Sequence, residues 1–337
     1  MVGIGILGYG YWGPNLVRNF LETPGFHVVA VADRNPARLA QVQQRLPGVI
    51  TTSDEREVWE NPQVDAVAIA TPVSTHFELA MQCLRAGKHV LVEKPLAATP
   101  EHAARLVEEA AQRKLTLMVD HTFVYTPAVQ KLKQLISDGS VGETYYYDSV
   151  RINLGLFQSD VDVLWDLAVH DLSIIEDIFP DKPVAISAQG LSHVPRGMVD
   201  MAYLTLFFST QMIAHLHVNW LAPVKVRRTL IGGSRKMIVY DELEPSEKIK
   251  VYDKGITIDD NPESVHQRRI GYRSGDMWAP QLATTEALRT ATAHFLDCIR
   301  TGRTPTTDGA AGLRVVRMLE AASRSLQQRG NVVELER

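Results

Sequence analysis

The chain has 337 residues, a formal net charge of −4 and 22% charged side chains. That length accommodates two domains with a sizeable core, and the near balance of charge leaves no basic field for nucleic acid and no polybasic patch for a membrane. Two cysteines far apart, Cys83 and Cys298, form no C-x-x-C pair and fit a reducing cytoplasm. No apolar run approaches a membrane span, and no charged-then-apolar leader precedes the first apolar run, so a cytoplasmic location is expected.

The chain opens on an apolar run, Ile4 to Leu7, followed at once by Gly8, Gly10 and Gly13 in G-x-G-x-x-G spacing and then by the helical pattern Leu16, Val17, Phe20, Leu21. Gly8 suits a tight turn off a strand, Gly10 a close backbone approach to a pyrophosphate, and Gly13 close packing of helix on strand. The intervening Tyr9, Tyr11 and Trp12 would line the same turn, and the helix start favours anions. A second apolar run, Val28 to Ala32, ends in Asp33, twenty residues beyond Gly13. That is where an acid meets ribose hydroxyls. Asp33 favours NAD, since a carboxylate repels the extra phosphate of NADP; Arg34 beside it leaves room for NADP.

Next come a helix over Pro36 to Leu46 capped by Asn35, a strand over Val64 to Ala70 ending in Thr71-Pro72, and a helix over His76 to Ala86 closed by Gly87. A strand over His89 to Val92 ends in Glu93-Lys94-Pro95, a helix follows over Pro100 to Arg113, and a strand over Thr116 to Val119 leads into Asp120-His121. Alternating strands and helices predict a doubly wound parallel sheet over residues 1–122, whose ligands bind beyond the strand C-termini. A lysine is ordinarily a solvated surface residue. Lys94, at a strand end and before a proline that restricts its backbone and could set a cis bond, is either such a surface lysine or one placed to share a proton with a substrate hydroxyl.

From Phe123 the texture changes. Residues 145–150, 184–189, 201–208, 212–220, 227–231 and 236–240 are strand-like, several with period two, and predict an open-faced, mainly antiparallel sheet in an α+β domain over 123–337. Met212, Ala214, Leu216, Val218 and Trp220 would face the core. The opposite face, carrying Ile213 and Phe207, reads as a subunit contact. His215-x-His217 lacks a third ligand nearby, so no metal site is expected.

Val163 to Ile175 reads as a helix in which Asp166 and His170, four apart, share one face. The pair is either a surface acid–imidazole contact or a general base oriented by its acid. Asp171 falls in the apolar stripe with no partner in view. Asp241 to Gly271 is polar and reads as a long flexible excursion near the site. Leu282 to Arg300 and Gly309 to Gln328 read as two helices able to pack back on the first domain.

With these pieces in place, the chain resembles the Gfo/Idh/MocA family of nicotinamide-dependent sugar and polyol oxidoreductases nearly end to end: the glycine turn, Ala70-Thr71-Pro72 with His76, Glu93-Lys94-Pro95, Asp166-x-x-x-His170 and Thr307-Asp308-Gly309. The resemblance implies a catalytic set of Lys94, Asp166 and His170. It also implies cofactor contacts at Thr71, Pro72, His76, Glu93 and Lys94, and a homodimer or homotetramer formed through the C-terminal sheet. His121-Thr122-Phe123, Arg151 to Gly155, Trp165 to Leu167 and Tyr272 to Asp276 resemble the sugar-nucleotide 3-dehydrogenases of the WlbA/WbpB type, which oxidise C3 of UDP-N-acetylglucosaminuronic acid. Arg151, Asn153 and Arg273 are the candidates to hold carboxylate or pyrophosphate. His121 and Tyr125 join Lys94, Asp166 and His170 as candidate substrate contacts. The expectation is an NAD-dependent dehydrogenase of a nucleotide-linked sugar. A free polyol dehydrogenase of the inositol type, a 3-ketosugar reductase and a catalytically silent NAD(H)-binding regulator are its alternatives.

Overall fold

A computed structural model describes residues 1–155, 161–194, 197–259 and 269–335. The chain divides into two compact units. The first comprises Met1–Thr126, Leu172–Asp177 and Thr285–Glu320; the second comprises Pro127–Asp171, Ile178–Thr284 and Ala321–Arg337.

The first unit opens with β1 (Val2–Leu7), α1 (Gly13–Glu22), β2 (Phe26–Ala32), α2 (Pro36–Arg45), β3 (Ile50–Thr52), α3 (Arg56–Trp59) and β4 (Ala66–Ile69). It continues through α4 (Val73–Arg85), β5 (His89–Glu93), α5 (Pro100–Arg113), β6 (Leu117–Asp120) and a 3-10 turn at Thr122–Tyr125. The six strands are all parallel in the order β3-β2-β1-β4-β5-β6, so the direction of winding reverses between β1 and β4. Continuous apolar strands suit a sheet covered on both faces: Ile4, Ile6, Ala66, Ala68 and Leu91 are all buried. Helix starts follow local chemistry, as Asn35 and Thr99 accept from Ala37 N and His102 N ahead of prolines at the first helical positions. Helix α4 begins at Val73, ahead of the His76 start that periodicity suggested.

The second unit begins with α6 (Pro127–Ser137) and β7 (Thr144–Leu154); α7 (Val169–Ile178), whose Leu172–Asp177 belong to the first unit, follows a π turn at Leu164–Ala168. Then come β8 (Pro183–Leu191), β9 (Met201–Phe208), β10 (Ile213–Asn219), β11 (Leu221–Gly233), β12 (Met237–Asp241), β13 (Ile249–Tyr252), β14 (Gly255–Asp259), β15 (Arg269–Arg273) and β16 (Met277–Trp278). The chain ends with α8 (Ala287–Thr301), α9 (Gly309–Gln327) and β17 (Val333–Glu334). Nine strands form one sheet, ordered β16-β13-β12-β11-β7-β10-β9-β8-β17, antiparallel except for the β7–β10 pair. Its alternation is as expected, with Ala214, Leu216 and Val218 buried and Ile213 exposed.

The 241–271 stretch is a correction. It is not a structureless excursion: β13 pairs with β12, and β14 pairs with β15 as a separate two-stranded ribbon. Ile249 and Val251 supply the period-two apolar face that the surrounding acids and prolines obscure, and both are buried. Residues 260–268 of that expectation lie outside the described residues.

Helix α8 packs within the first unit. Phe295 stacks on Phe26 at 6.2 Å between centroids, and Phe26 meets Phe20 edge-on at 5.0 Å. Among the described residues no helix is long and apolar enough to cross a membrane.

Candidate active site

In the first unit, the strand C-termini gather the candidate side chains. Gly8 sits at φ +96°, and a Cβ there would lie 2.6 Å from the Ala70 carbonyl oxygen; one on Gly13 would lie 2.3 Å from the Gly8 carbonyl oxygen. These are the turn and packing roles that only glycine fills. At Gly10 a Cβ would meet nothing nearer than the Arg38 guanidinium at 3.6 Å. That is ordinary van der Waals contact with Arg38, and α1 starts without a side-chain cap. A bare Cα and uncapped N–H groups fit a dinucleotide pyrophosphate.

The Asp33 carboxylate is 8% exposed and accepts from Tyr9 N at 2.7 Å, Asn35 N at 2.8 Å and Arg38 Nη1 at 3.3 Å. It thus braces the glycine turn while sitting where ribose hydroxyls would come. Arg34 points away, its mostly exposed side chain paired with Glu55. The cation beside the acid is Arg38, which the motif did not single out; its position one helical turn beyond Asp33 was the available signal. Tyr9 is buried, Tyr11 is exposed, and the Trp12 indole donates to Asp120 Oδ2 at 3.3 Å.

Two expected contacts are corrected here. His76 is buried, and its ring N–H donates to the Pro95 carbonyl (2.8 Å) or, in the other tautomer, to the Thr71 carbonyl (2.9 Å). It is a staple between two strand-end loops, not a solvent-facing cofactor contact. Tyr125 is also buried; because Thr307 donates its hydroxyl to the Val119 carbonyl, the Tyr125 hydroxyl is the donor to Thr307 Oγ1 at 3.0 Å. That phenol belongs to the core, and burial pushes its pKa up.

Thr71 donates to Thr75 Oγ1 (2.7 Å), which itself donates to the Pro72 carbonyl, fixing the loop after β4. Lys94 precedes a cis peptide bond to Pro95. Glu93 and Asp120 are cross-strand neighbours at the ends of β5 and β6. Burial, then repulsion from Asp120, pushes the Glu93 carboxyl well above its usual range. Burial also raises Asp120, against hydrogen bonds that include those from Thr122 and Trp12. Two carboxyls so close retain a proton between them. His121, next in the chain, is 2% exposed; burial and then Lys94 push it down to about 3, so its imidazole is neutral. Neither of its ring nitrogens, nor Glu93 Oε1, has a hydrogen-bond partner among the described residues.

A buried acid held protonated makes folding less favourable as pH rises through its native pKa, because the unfolded chain releases that proton more readily. Glu93→Gln is therefore expected to raise Tm relative to wild type, by a margin that widens from pH 5 to pH 9 in a thermal-shift series. A margin independent of pH would refute the shared proton.

In the second unit, Asp166 lies in the π turn that precedes α7; the Val169 N–H reaches the Leu164 carbonyl, five residues back. Simple α-helical spacing did not anticipate this wider turn, a feature frequent at functional sites. Asp166 Oδ2 accepts from the Trp220 indole N–H at 3.1 Å. His170 is the second residue of the helix beyond.

Arg151 is a second correction of substance. Expected to hold substrate, it is 3% exposed and donates to Asp171 Oδ2 at 2.8 Å and to Glu242 Oε2 at 3.2 Å. Burial alone would lower its pKa, but Asp171 and Glu242 hold it charged. The same contacts supply the partner that Asp171 lacked: it also accepts from Ser149 Oγ at 2.6 Å and Tyr147 Oη at 3.2 Å. Arg273 pairs with Asp253 and donates to the Arg235 carbonyl, so its charge is engaged too. Asn153 keeps a buried Oδ1 with no hydrogen-bond partner among the described residues. No group of three or more potential metal ligands occurs among the described residues.

A family model described as "Oxidoreductase family, NAD-binding Rossmann fold" matches residues 2–121, and one described as "GFO/IDH/MocA C-terminal domain" matches 129–239. The chain is 30% identical over 313 residues to UDP-N-acetylglucosamine 3-dehydrogenase of Acidithiobacillus ferrooxidans, covering 93% of each chain. A solved structure of that enzyme superposes with a TM-score of 0.82 at 27% identity, covering 98% of this chain and 99% of the other. The scyllo-inositol 2-dehydrogenase (NAD(+)) of Bacillus subtilis is 26% identical, over 90% of this chain and 86% of the other. Levoglucosan dehydrogenase, solved with NADH and levoglucosan, shares the fold with a TM-score of 0.84 at 21% identity over the full length of both chains. Matched in both halves and at this identity across nearly all its length, the chain belongs to the Gfo/Idh/MocA family of NAD-binding oxidoreductases.

Proposed function

We propose that this enzyme oxidises the C3 hydroxyl of a UDP-linked N-acetylated hexosamine, with NAD as its cofactor. The observation that carries the reading is the strand-end cluster of the first unit. A lysine on the turn after β5 stands beside a neutral, buried His121 whose two ring nitrogens have no hydrogen-bond partner among the described residues. One ring nitrogen donates and the other accepts, which suits a sugar hydroxyl. When bound, NAD would supply the hydride acceptor. His170 takes the hydroxyl proton, Asp166 orients the imidazole, and Lys94 donates a hydrogen bond to the oxygen on which charge develops.

The two guanidinium groups considered for a uronate carboxylate, Arg151 and Arg273, are already paired with acids. This favours UDP-N-acetylglucosamine over its uronate. The test is NADH formation at 340 nm, a property of the cofactor, with each UDP-sugar and with free inositols. A preference for inositols would support a polyol dehydrogenase, the second reading that the scyllo-inositol relative favours.

Cofactor choice is expected to turn on Arg38, since Arg34 is engaged elsewhere. Arg38→Ala should weaken NADPH binding more than NADH binding in a fluorescence titration, because only the former carries a phosphate at the ribose. Equal weakening would assign Arg38 to the pyrophosphate.

We also propose a homo-oligomer formed through the free face of the nine-stranded sheet. Tyr203 and Ile213 on this face are 41% and 43% exposed, and Tyr203 stacks on His217 at 4.4 Å. Ile213→Arg is expected to convert the assembly to a smaller species by light scattering.

A further inference from the structure

Trp220 fits the core face by its period-two pattern, and it is buried there, at 1% exposed. Yet it lies at the junction of β10 and β11 rather than inside a strand, and every part of it is held. Its backbone N–H donates to the Asp200 carbonyl and its carbonyl accepts from Gly155 N, both at 2.9 Å. Its indole lies against the bare Cα of Gly155, where a Cβ would come within 2.3 Å of the ring. The ring is thereby fixed, and its N–H is fixed with it. That N–H donates to Asp166 Oδ2.

The other acids of this segment are held by different groups. Asp162 accepts from Leu164 N and Trp165 N at the start of the π turn. Asp171 is held by Arg151, Ser149 and Tyr147. Asp166 alone among these three carboxylates is fixed by an indole on a different element, and it is the one four residues before His170.

We infer that Trp220 is a positioning residue: its indole N–H fixes the Asp166 carboxylate and, through it, the His170 imidazole for proton abstraction. The inference rests on the reading above that His170 is the proton acceptor. A rigid donor across the π turn restrains the Asp166 carboxylate, so an imidazole held by it would be oriented before substrate arrives. Such preorganisation acts on kcat more than on KM.

The experiment uses the full chain with NAD and UDP-N-acetylglucosamine. Trp220→Phe keeps an aromatic ring and removes the donor. It is expected to lower kcat about tenfold, leave KM and NADH affinity within about twofold, and move the acid limb of the kcat pH profile. Gly155→Ala, which crowds the indole without touching Asp166, is expected to change kcat and the acid limb in the same direction, and carries the test should the Phe variant fail to fold. A third measurement needs no substrate: the His170 imidazole proton resonance, assigned by its loss in His170→Asn, should titrate at lower pH in both variants than in wild type. Wild-type titration and kcat in both variants would overturn the inference while leaving His170 catalytic. A shifted titration in an enzyme inactive on UDP-N-acetylglucosamine would instead overturn the proposed substrate and keep the role of Trp220.

Discussion

Replacing Lys94 by alanine is expected to lower kcat on UDP-N-acetylglucosamine by about 10²–10⁴-fold, the range of a positioned proton-transfer or oxyanion group, with NADH affinity changed little. The side chain stands at the end of β5, after Glu93 and before the cis bond to Pro95. It is separate from the glycine turn and from Asp33, the elements expected to carry most of the cofactor affinity. His170→Ala should fall in the same range, and the double variant should lose little more than either single one, because residues acting as a unit are not additive. The measurement is steady-state turnover at saturating NAD, paired with NADH fluorescence titration. Full turnover in either single variant with cofactor still bound would remove the dehydrogenase reading and leave a nucleotide-binding protein. Loss of both turnover and NADH binding in Lys94→Ala would make the lysine a cofactor ligand first.

What was legible in the sequence had a period or a spacing behind it. Gly8 and Gly13 are demanded by backbone approach, and the parallel, doubly wound sheet follows from alternating strands and helices. Asp33 directly follows β2, as the strand pattern implies, because strand length fixes where an acid emerges. Side-chain pairing was another matter. Arg151, Glu242 and Asp171 are far apart in the chain, and nothing local distinguishes a guanidinium that binds substrate from one that neutralises two buried acids. His76 and Tyr125 sit next to functional motifs, yet their rings turn inward to backbone and core partners. The π turn at Leu164–Ala168 was invisible because an amphipathic stripe reads equally well on either helix. Trp220 satisfied the period-two pattern so well that the polar end of its ring drew no notice.

Arg151→Met offers the clearest division between framework and substrate contact. The guanidinium side chain is 4% exposed, between the Asp171 carboxylate at 1% and Glu242 at 18%. Methionine fills similar length without charge, so the variant leaves Asp171 buried with only its neutral donors, Ser149 and Tyr147. Breaking a buried pair from one side costs about 3–5 kcal/mol, far above the effect of a surface arginine. Glu242 is cushioned, since Arg227 Nη1 also donates to it. Asp171→Asn added to Arg151→Met should recover part of the loss, because it removes the acid left without a cation. Urea unfolding reads these differences directly. In whatever fraction stays folded, KM for the UDP-sugar should be near wild type. The opposite pattern, native stability with KM raised tenfold or more, would return Arg151 to the substrate and with it the case for an anionic sugar.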